Sequence, residues 1–132
     1  MQRTVFIIFC AFLLACCASQ YSVGRLLVDN DKDVQLGVRH EFKAYMSSST
    51  ELRFYSSKED VGTLDNCISA IYGADVDSKR YRSLDGRLIE FSAVVAEYRD
   101  GFVIGANKAL GDRELASFEN QCGRAHVLVL VP

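Results

Sequence analysis

The chain has 132 residues, 49% of them hydrophobic, and 15 Lys and Arg stand against 17 Asp and Glu for a formal charge of −2. That length suits one small domain, and charges mixed along the chain exclude the basic stripe that nucleic acid requires. A single proline, Pro132, and no tryptophan exclude a proline-rich stalk or low-complexity linker.

Residues 1–20 read MQRTVFIIFCAFLLACCASQ, with one positive charge at Arg3, an apolar run from Val5 to Leu14, and small residues from Ala15 to Ser19. This is the three-part pattern of an export signal. An apolar run of about ten residues is too short for a bilayer span, which needs about twenty. It also lacks the polar face that a helix on the surface of a domain must show. Residues 1–19 are therefore expected to be a signal peptide, and the protein to be exported. Leu13-Leu14-Ala15-Cys16 resembles the bacterial lipobox. That resemblance implies lipidation of Cys16, which would become the new N-terminus and tether the protein through acyl chains at about 0.8 kcal/mol per buried methylene. A cut after Ala18 or Ser19 meets the small-residue rule equally, and would release a periplasmic or extracellular protein.

The signal and its boundary absorb Cys10, Cys16 and Cys17, leaving Cys67 and Cys122 in the body. In an exported domain these two are expected to form one disulfide, with two buried free thiols as the alternative. The loop it would close is long, so constraint of the unfolded chain would contribute on the order of 4 kcal/mol in the entropic account.

Along the body, residues 21–28 contain the apolar patch Leu26-Leu27-Val28 and are expected to form an edge strand. Residues 29–33, DNDKD, make a charged turn, and residues 34–38 a second short strand around Gly37. Residues 41–46 form either one helical turn or extended chain. The serine run at 47–50 is linker-like, and divides a poorly patterned segment, 20–50, from a compact β-rich domain, 51–132. Leu52-Arg53-Phe54-Tyr55 alternates as a half-buried strand does, and Ser56 or Ser57 can cap the element after it. Leu64, Cys67, Ile68 and Ile71 fall on one face of a predicted short helix that Gly73 would end. Residues 75–82 are expected to be polar loop.

Residues 83–87, SLDGR, form a turn with glycine where a positive φ is needed. The following run, 88–98, is a long strand with Ile89, Phe91, Ala93 and Val95 on one face. Arg99-Asp100-Gly101 is a hairpin turn that returns Phe102-Val103-Ile104 antiparallel. Residues 107–121 are ambiguous. Leu115, Phe118 and Cys122 have helical spacing between a cap at Asp112 and a stop at Gly123, and a polar loop is the alternative. Residues 126–131 close the body as a strand apolar on both faces, which suits a sheet covered on both sides. The element order gives an α+β, mainly antiparallel β domain. Residues 84–95, LDGRLIEFSAVV, resemble the first long strand of small OB-type barrels, with Ser92-Ala93 where that pattern has glycine. The resemblance, shared with small exported bacterial proteins, implies a small OB-like barrel or curved sheet with one or two short helices, and no active site.

Few motifs carry chemistry. Asp29-Asn30-Asp31-Lys32-Asp33 opens like a calcium loop, yet Val34 and His40 replace the glycine and bidentate glutamate such a loop needs. His40 and His126 lie at ligand spacing neither from each other nor from the cysteines. No nucleophile, base and orienting group stand out, and no cofactor is implied. Lys79, Arg80 and Arg82 around Tyr81, with Arg87 beyond, form the only basic cluster and the candidate loop for an anionic ligand. The expected function is an exported, envelope-associated binding or accessory protein without catalytic activity. Its partners would be envelope polysaccharide, lipid head groups or another protein, with nucleic acid disfavoured. A secreted eukaryotic effector acting on another protein, and a small hydrolase with an unrecognised site, are the alternatives.

Overall fold

A computed structural model of the chain describes residues 20–27, 34–111 and 118–132. The signal and lipobox readings on residues 1–19, and the charged turn at 29–33, fall outside these residues. Of the edge strand expected over 21–28, Val28 falls outside the described residues, and within them the strand is Gln20–Tyr21 (β1). Ser22 then accepts the Gly24 N–H on its Oγ at 3.1 Å, capping a short helix, Val23–Leu26 (α1). Val23 and Leu26, three apart and so on one helical face, are each 1% exposed. The second strand expected at 34–38 reduces to a single bridge from Leu36 to Val95, after which Gly37 donates its N–H to the Val95 carbonyl at 2.9 Å.

Residues 39–47 resolve the choice between helical turn and extended chain in favour of a strand, Arg39–Ser47 (β2). Phe42, Ala44 and Met46 alternate inward while Arg39, Glu41 and Lys43 stay exposed. The serine run is a hairpin loop rather than a linker, because β2 pairs antiparallel with the next strand, Arg53–Tyr55 (β3), placing Met46 opposite Phe54. Ser57 caps a 3-10 turn, Lys58–Asp60. The helix predicted around 64–71 is instead a strand, Cys67–Tyr72 (β4), paired antiparallel with β3. Its helical spacing is fortuitous: Leu64 is 54% exposed, whereas Cys67 to Ala70 are buried without a break. Part of the polar loop expected at 75–82 is a helix, Ser78–Arg82 (α2), capped by Asp77.

The long strand is present as Leu88–Arg99 (β5), returning through Asp100 (φ 54) and Gly101 (φ 87) to Phe102–Ile104 (β6). Two successive positive φ angles are what a tight hairpin turn needs, and glycine at the second meets the demand without strain. Residues 106–111 form hydrogen-bonded turns and residues 118–125 an irregular segment, while Asp112 and Leu115 of the helical alternative fall outside the described residues. His126–Leu130 (β7) is the final strand, buried from Val127 to Leu130 as its two apolar faces require.

Five strands close in the order β2-β3-β4-β7-β5 and back to β2, with β1 and β6 attached at the margins. All barrel pairings are antiparallel except β4 with β7. This is a small α+β, OB-like barrel. Within it, the segment that resembles a first OB strand is the fourth barrel strand in chain order. The interior is filled by Phe42, Phe54 and Phe91, stacked at 5.4 Å (Phe42–Phe91) and 4.0 Å (Phe54–Phe91), together with Met46, Ile68 and Leu128. A second cluster lies on the outer side of β5 and β7, where Val94, Ala96, Val127 and Val129 pack against Val103, Ala106 and Leu110.

Phe54 is fully buried against Phe91, so Phe54→Ala removes packing the interior cannot recover. The expected loss is about 3–5 kcal/mol, read as a lower urea midpoint at unchanged slope.

Candidate functional site

Three features of the barrel are candidates for function: α2 with its basic side chains, a cleft beside it, and the outer face of β3 and β4. The chain reaches α2 through a close approach at Gly73. Its N–H donates to the Leu130 carbonyl at 3.0 Å, and the Ala74 N–H to the Ala109 carbonyl at 2.8 Å. A Cβ at Gly73 would collide with the Leu130 oxygen and lie 2.8 Å from that of Ala109, so only glycine passes. Asp77 then accepts the Lys79 N–H on Oδ1 at 3.0 Å and starts the helix.

On α2 the helical turn separates the basic cluster. Lys79, Arg80 and Arg82 are exposed, whereas Tyr81 is 8% exposed and packs 5.9 Å from Tyr72. The aromatic that the sequence places among the cations therefore belongs to the core and offers no face for stacking. Burial pushes the Tyr81 hydroxyl above its ordinary value, with Arg80 pulling it down and Glu41 pushing it up. Tyr72 is likewise raised by burial and lowered by Arg82. Arg80 lines the cleft beside the helix. Arg87 is exposed in the turn before β5, which is stitched to β2 by the Met46 N–H to Arg87 carbonyl bond at 3.1 Å.

The cleft consists of two adjoining cavities, of about 370 and 540 Å³, that share Asp75, Val131 and Pro132. Their outer wall is the β2–β5 ladder, in which Arg39, Glu41 and Lys43 stand opposite Val94, Ser92 and Glu90. The Ser92 hydroxyl donates to Glu41 Oε1 at 2.7 Å and accepts from Arg39 Nη2 at 2.9 Å, while Arg39 Nε reaches Glu41 Oε1 at 3.3 Å. The sequence alone does not group these three residues, because Ser92 lies 51 positions from Glu41. Period-two alternation along RHEFKAYM is the signal that could have placed Arg39 and Glu41 on one outer face.

OB barrels bind oligonucleotides and oligosaccharides on the face of their second and third strands, framed by the loops that join strands one to two and four to five. Here that face belongs to β3 and β4, and the chain covers it with its own residues 118–124. The Cys67–Cys122 disulfide forms as expected, and the Cys122 N–H donates to Ser69 Oγ at 3.1 Å. Tyr98 donates its hydroxyl to the Phe118 carbonyl at 2.9 Å. Arg53 Nη2 donates to Thr50 Oγ1 at 3.1 Å and Gln121 Oε1 at 2.6 Å, bridging the β2–β3 loop to the covering segment. This cover buries Arg53, while Tyr55 on the same outer face donates its hydroxyl to the Thr63 carbonyl at 2.6 Å in the β3–β4 loop, so β3, expected to be half-buried, is buried at all its residues.

Beside Arg53, the Glu51 carboxyl has one oxygen buried without a hydrogen-bond partner. Burial raises its pKa above the ordinary 4.5, Glu119 adds to the rise, and Arg53 opposes it. Among the described residues no group of three His, Cys, Asp or Glu converges as a metal site. His40 sits on β2 with its ring edge-on to Phe42 at 6.3 Å, and His126 begins β7. Nothing in the described residues points to catalysis. The chain matches no family model, no curated protein and no solved structure.

A raised carboxyl pKa means that the folded state holds the proton more tightly than the unfolded one. The stability so gained is fully present below about pH 4.5 and is lost as the pH rises through the raised value. Once ionised, Glu51 is therefore a burden. Glu51→Gln should raise Tm at neutral pH, and thermal melts across pH should show the two proteins converging as the pH falls into the ordinary carboxylate range.

Proposed function

We propose that this protein is a small exported, envelope-associated binding or accessory module that acts by recognition rather than bond-making. The observation that carries the reading is the Cys67–Cys122 bond, which joins β4 to the covering segment across 55 positions. Cytosolic reductants keep such thiols reduced, whereas exported compartments let them pair. The signal pattern in residues 1–19 agrees with that address. Acylation at Cys16 would hold the protein at a membrane surface, while cleavage after Ala18 or Ser19 would free it. Among the described residues no helix is long and apolar enough to cross a membrane.

An OB-like barrel favours a binding role because its rigid wall holds loops and side chains in fixed positions at low entropic cost. Lys79, Arg80 and Arg82 project from α2, and Arg87 from the neighbouring turn, so anionic envelope polysaccharide or lipid head groups are suitable partners at that end.

Mass spectrometry of the full chain expressed in a secreting bacterial host tests the address. A diacylglyceryl group on Cys16, or a free N-terminus at Ser19 or Gln20, is expected, with Cys67 and Cys122 inert to thiol labelling under denaturing conditions. A product that keeps residues 1–19 and has both body thiols reactive overturns the reading. The double variant Cys67→Ser/Cys122→Ser should lose about 2–5 kcal/mol of stability, measured by denaturant titration.

A further inference from the structure

The two cavities that meet across Asp75, Val131 and Pro132 have walls of opposite charge. The smaller is lined by the acidic residues Glu41, Asp75, Asp77 and Glu90 against one cation, Arg80, with Tyr81 and Phe91 completing the wall. The larger adds Arg39 and Lys108 to the shared Asp75, over an apolar floor of Val94, Ala109 and Val131. One chamber thus favours a cation and its neighbour an anion. A ligand carrying a single charge gains in one chamber only, and a neutral ligand gains little from either.

Several of these groups are fixed in place before any ligand arrives. Glu41 is held by Ser92 and Arg39, and Asp77 by its capping bond to α2. Asp75, Glu90 and Lys108 have no side-chain hydrogen bond or ion pair among the described residues. They are therefore free to receive one. Both volumes lie within or near the range of about 300–1,000 Å³ usual for small-molecule sites.

We infer that this cleft binds a small zwitterion, with its ammonium beside Asp75 and Glu90 and its anionic group against Arg39 and Lys108. The inference rests on the reading of the chain as a binding module and gives that module a ligand class. A free amino acid and an ethanolamine-phosphate head group share this chemistry, and the experiment separates them.

The oxidised protein recovered from the exporting host is titrated with glycine and with O-phosphoethanolamine, and its backbone amides are followed by NMR. Ethylammonium and acetate serve as half-ligands. Shifts are expected at residues 74–80, 92–94 and 108, with at least one zwitterion binding about tenfold or more tightly than either half-ligand. Tighter binding of glycine assigns the site to amino acids or peptide ends, and tighter binding of phosphoethanolamine assigns it to head groups. Asp75→Asn keeps a residue that tolerates the positive φ of 63° at this position, and Lys108→Ala alters an exposed side chain. Each should weaken binding about fivefold or more at unchanged Tm. The inference is overturned if neither zwitterion shifts these amides at about 10 mM, if the half-ligands bind as tightly, or if both variants bind like the parent. Export without zwitterion binding sinks the site alone. Zwitterion binding by a chain that is not exported sinks the envelope reading and leaves the site.

Discussion

The pairing of β2 with β5 is the constraint on which the rest of the molecule depends. Its register runs from Arg39 opposite Val94 to Tyr45 opposite Leu88, and it closes the sheet on itself. Phe42 then lies opposite Phe91, so the two rings stack inside the barrel and Phe91 meets Phe54 on the far wall. On the outer side the same register brings Glu41 to Ser92 and fixes the wall of the cleft. A slip of one residue would turn every side chain of the strand to the opposite face. The aromatic interior opposes that slip, since it would expose Phe42 and bury Arg39, Glu41 and Lys43. Core packing and surface chemistry are therefore set by one choice of register.

Small barrels bury little apolar surface for their length, and this one supplements its interior with a second layer. Strand β6 and the turns after it lie over β5 and β7, covering Val94, Ala96, Val127 and Val129 with Val103, Ala106 and Leu110. Residues 118–124 lie against β4, where the disulfide and the Cys122 to Ser69 hydrogen bond secure them. Arg53 is buried by the same cover, and its bonds to Thr50 and Gln121 satisfy part of a guanidinium that could not otherwise lie there. The cross-link thus stabilises the covering segment, and it does so on the barrel face where ligands of this fold class are usually met.

Legibility in the sequence followed how far each strand keeps one wet face. Residues 88–104 were readable because Ile89, Phe91, Ala93 and Val95 alternate with polar neighbours at the start and Asp100-Gly101 is a turn with few alternatives. β4 was not readable. Ile68 and Ala70 point into the barrel while Ser69 and Cys67 are buried by the covering segment, so no polar alternation survives and a helical spacing arises by chance. α1 and α2 are too short to show a periodic face, and each depends on one capping side chain, Ser22 or Asp77. The disulfide was legible by subtraction once the signal-like pattern of residues 1–19 set three cysteines aside. The cleft was not, because its parts come from β2, β5, the Gly73 passage and the turn at Lys108.

That distribution bears on where a ligand can act. The face of β3 and β4 is occupied by the chain itself, whereas the cleft among the described residues lies on another part of the wall, beside α2 and the end of β7. There the backbone is anchored by the Val131 N–H to Ser92 carbonyl bond at 3.0 Å and by the two bonds that flank Gly73. Charges mounted on such a frame lose little freedom when they meet a partner, so modest electrostatic complementarity is enough to select one. The basic side chains of α2 are exposed by comparison, and exposed cations suit attraction to an extended anionic surface better than discrimination among small molecules. Under the proposed function the two charged features would do different work: α2 would bring the protein to a surface, and the cleft would distinguish what it meets there.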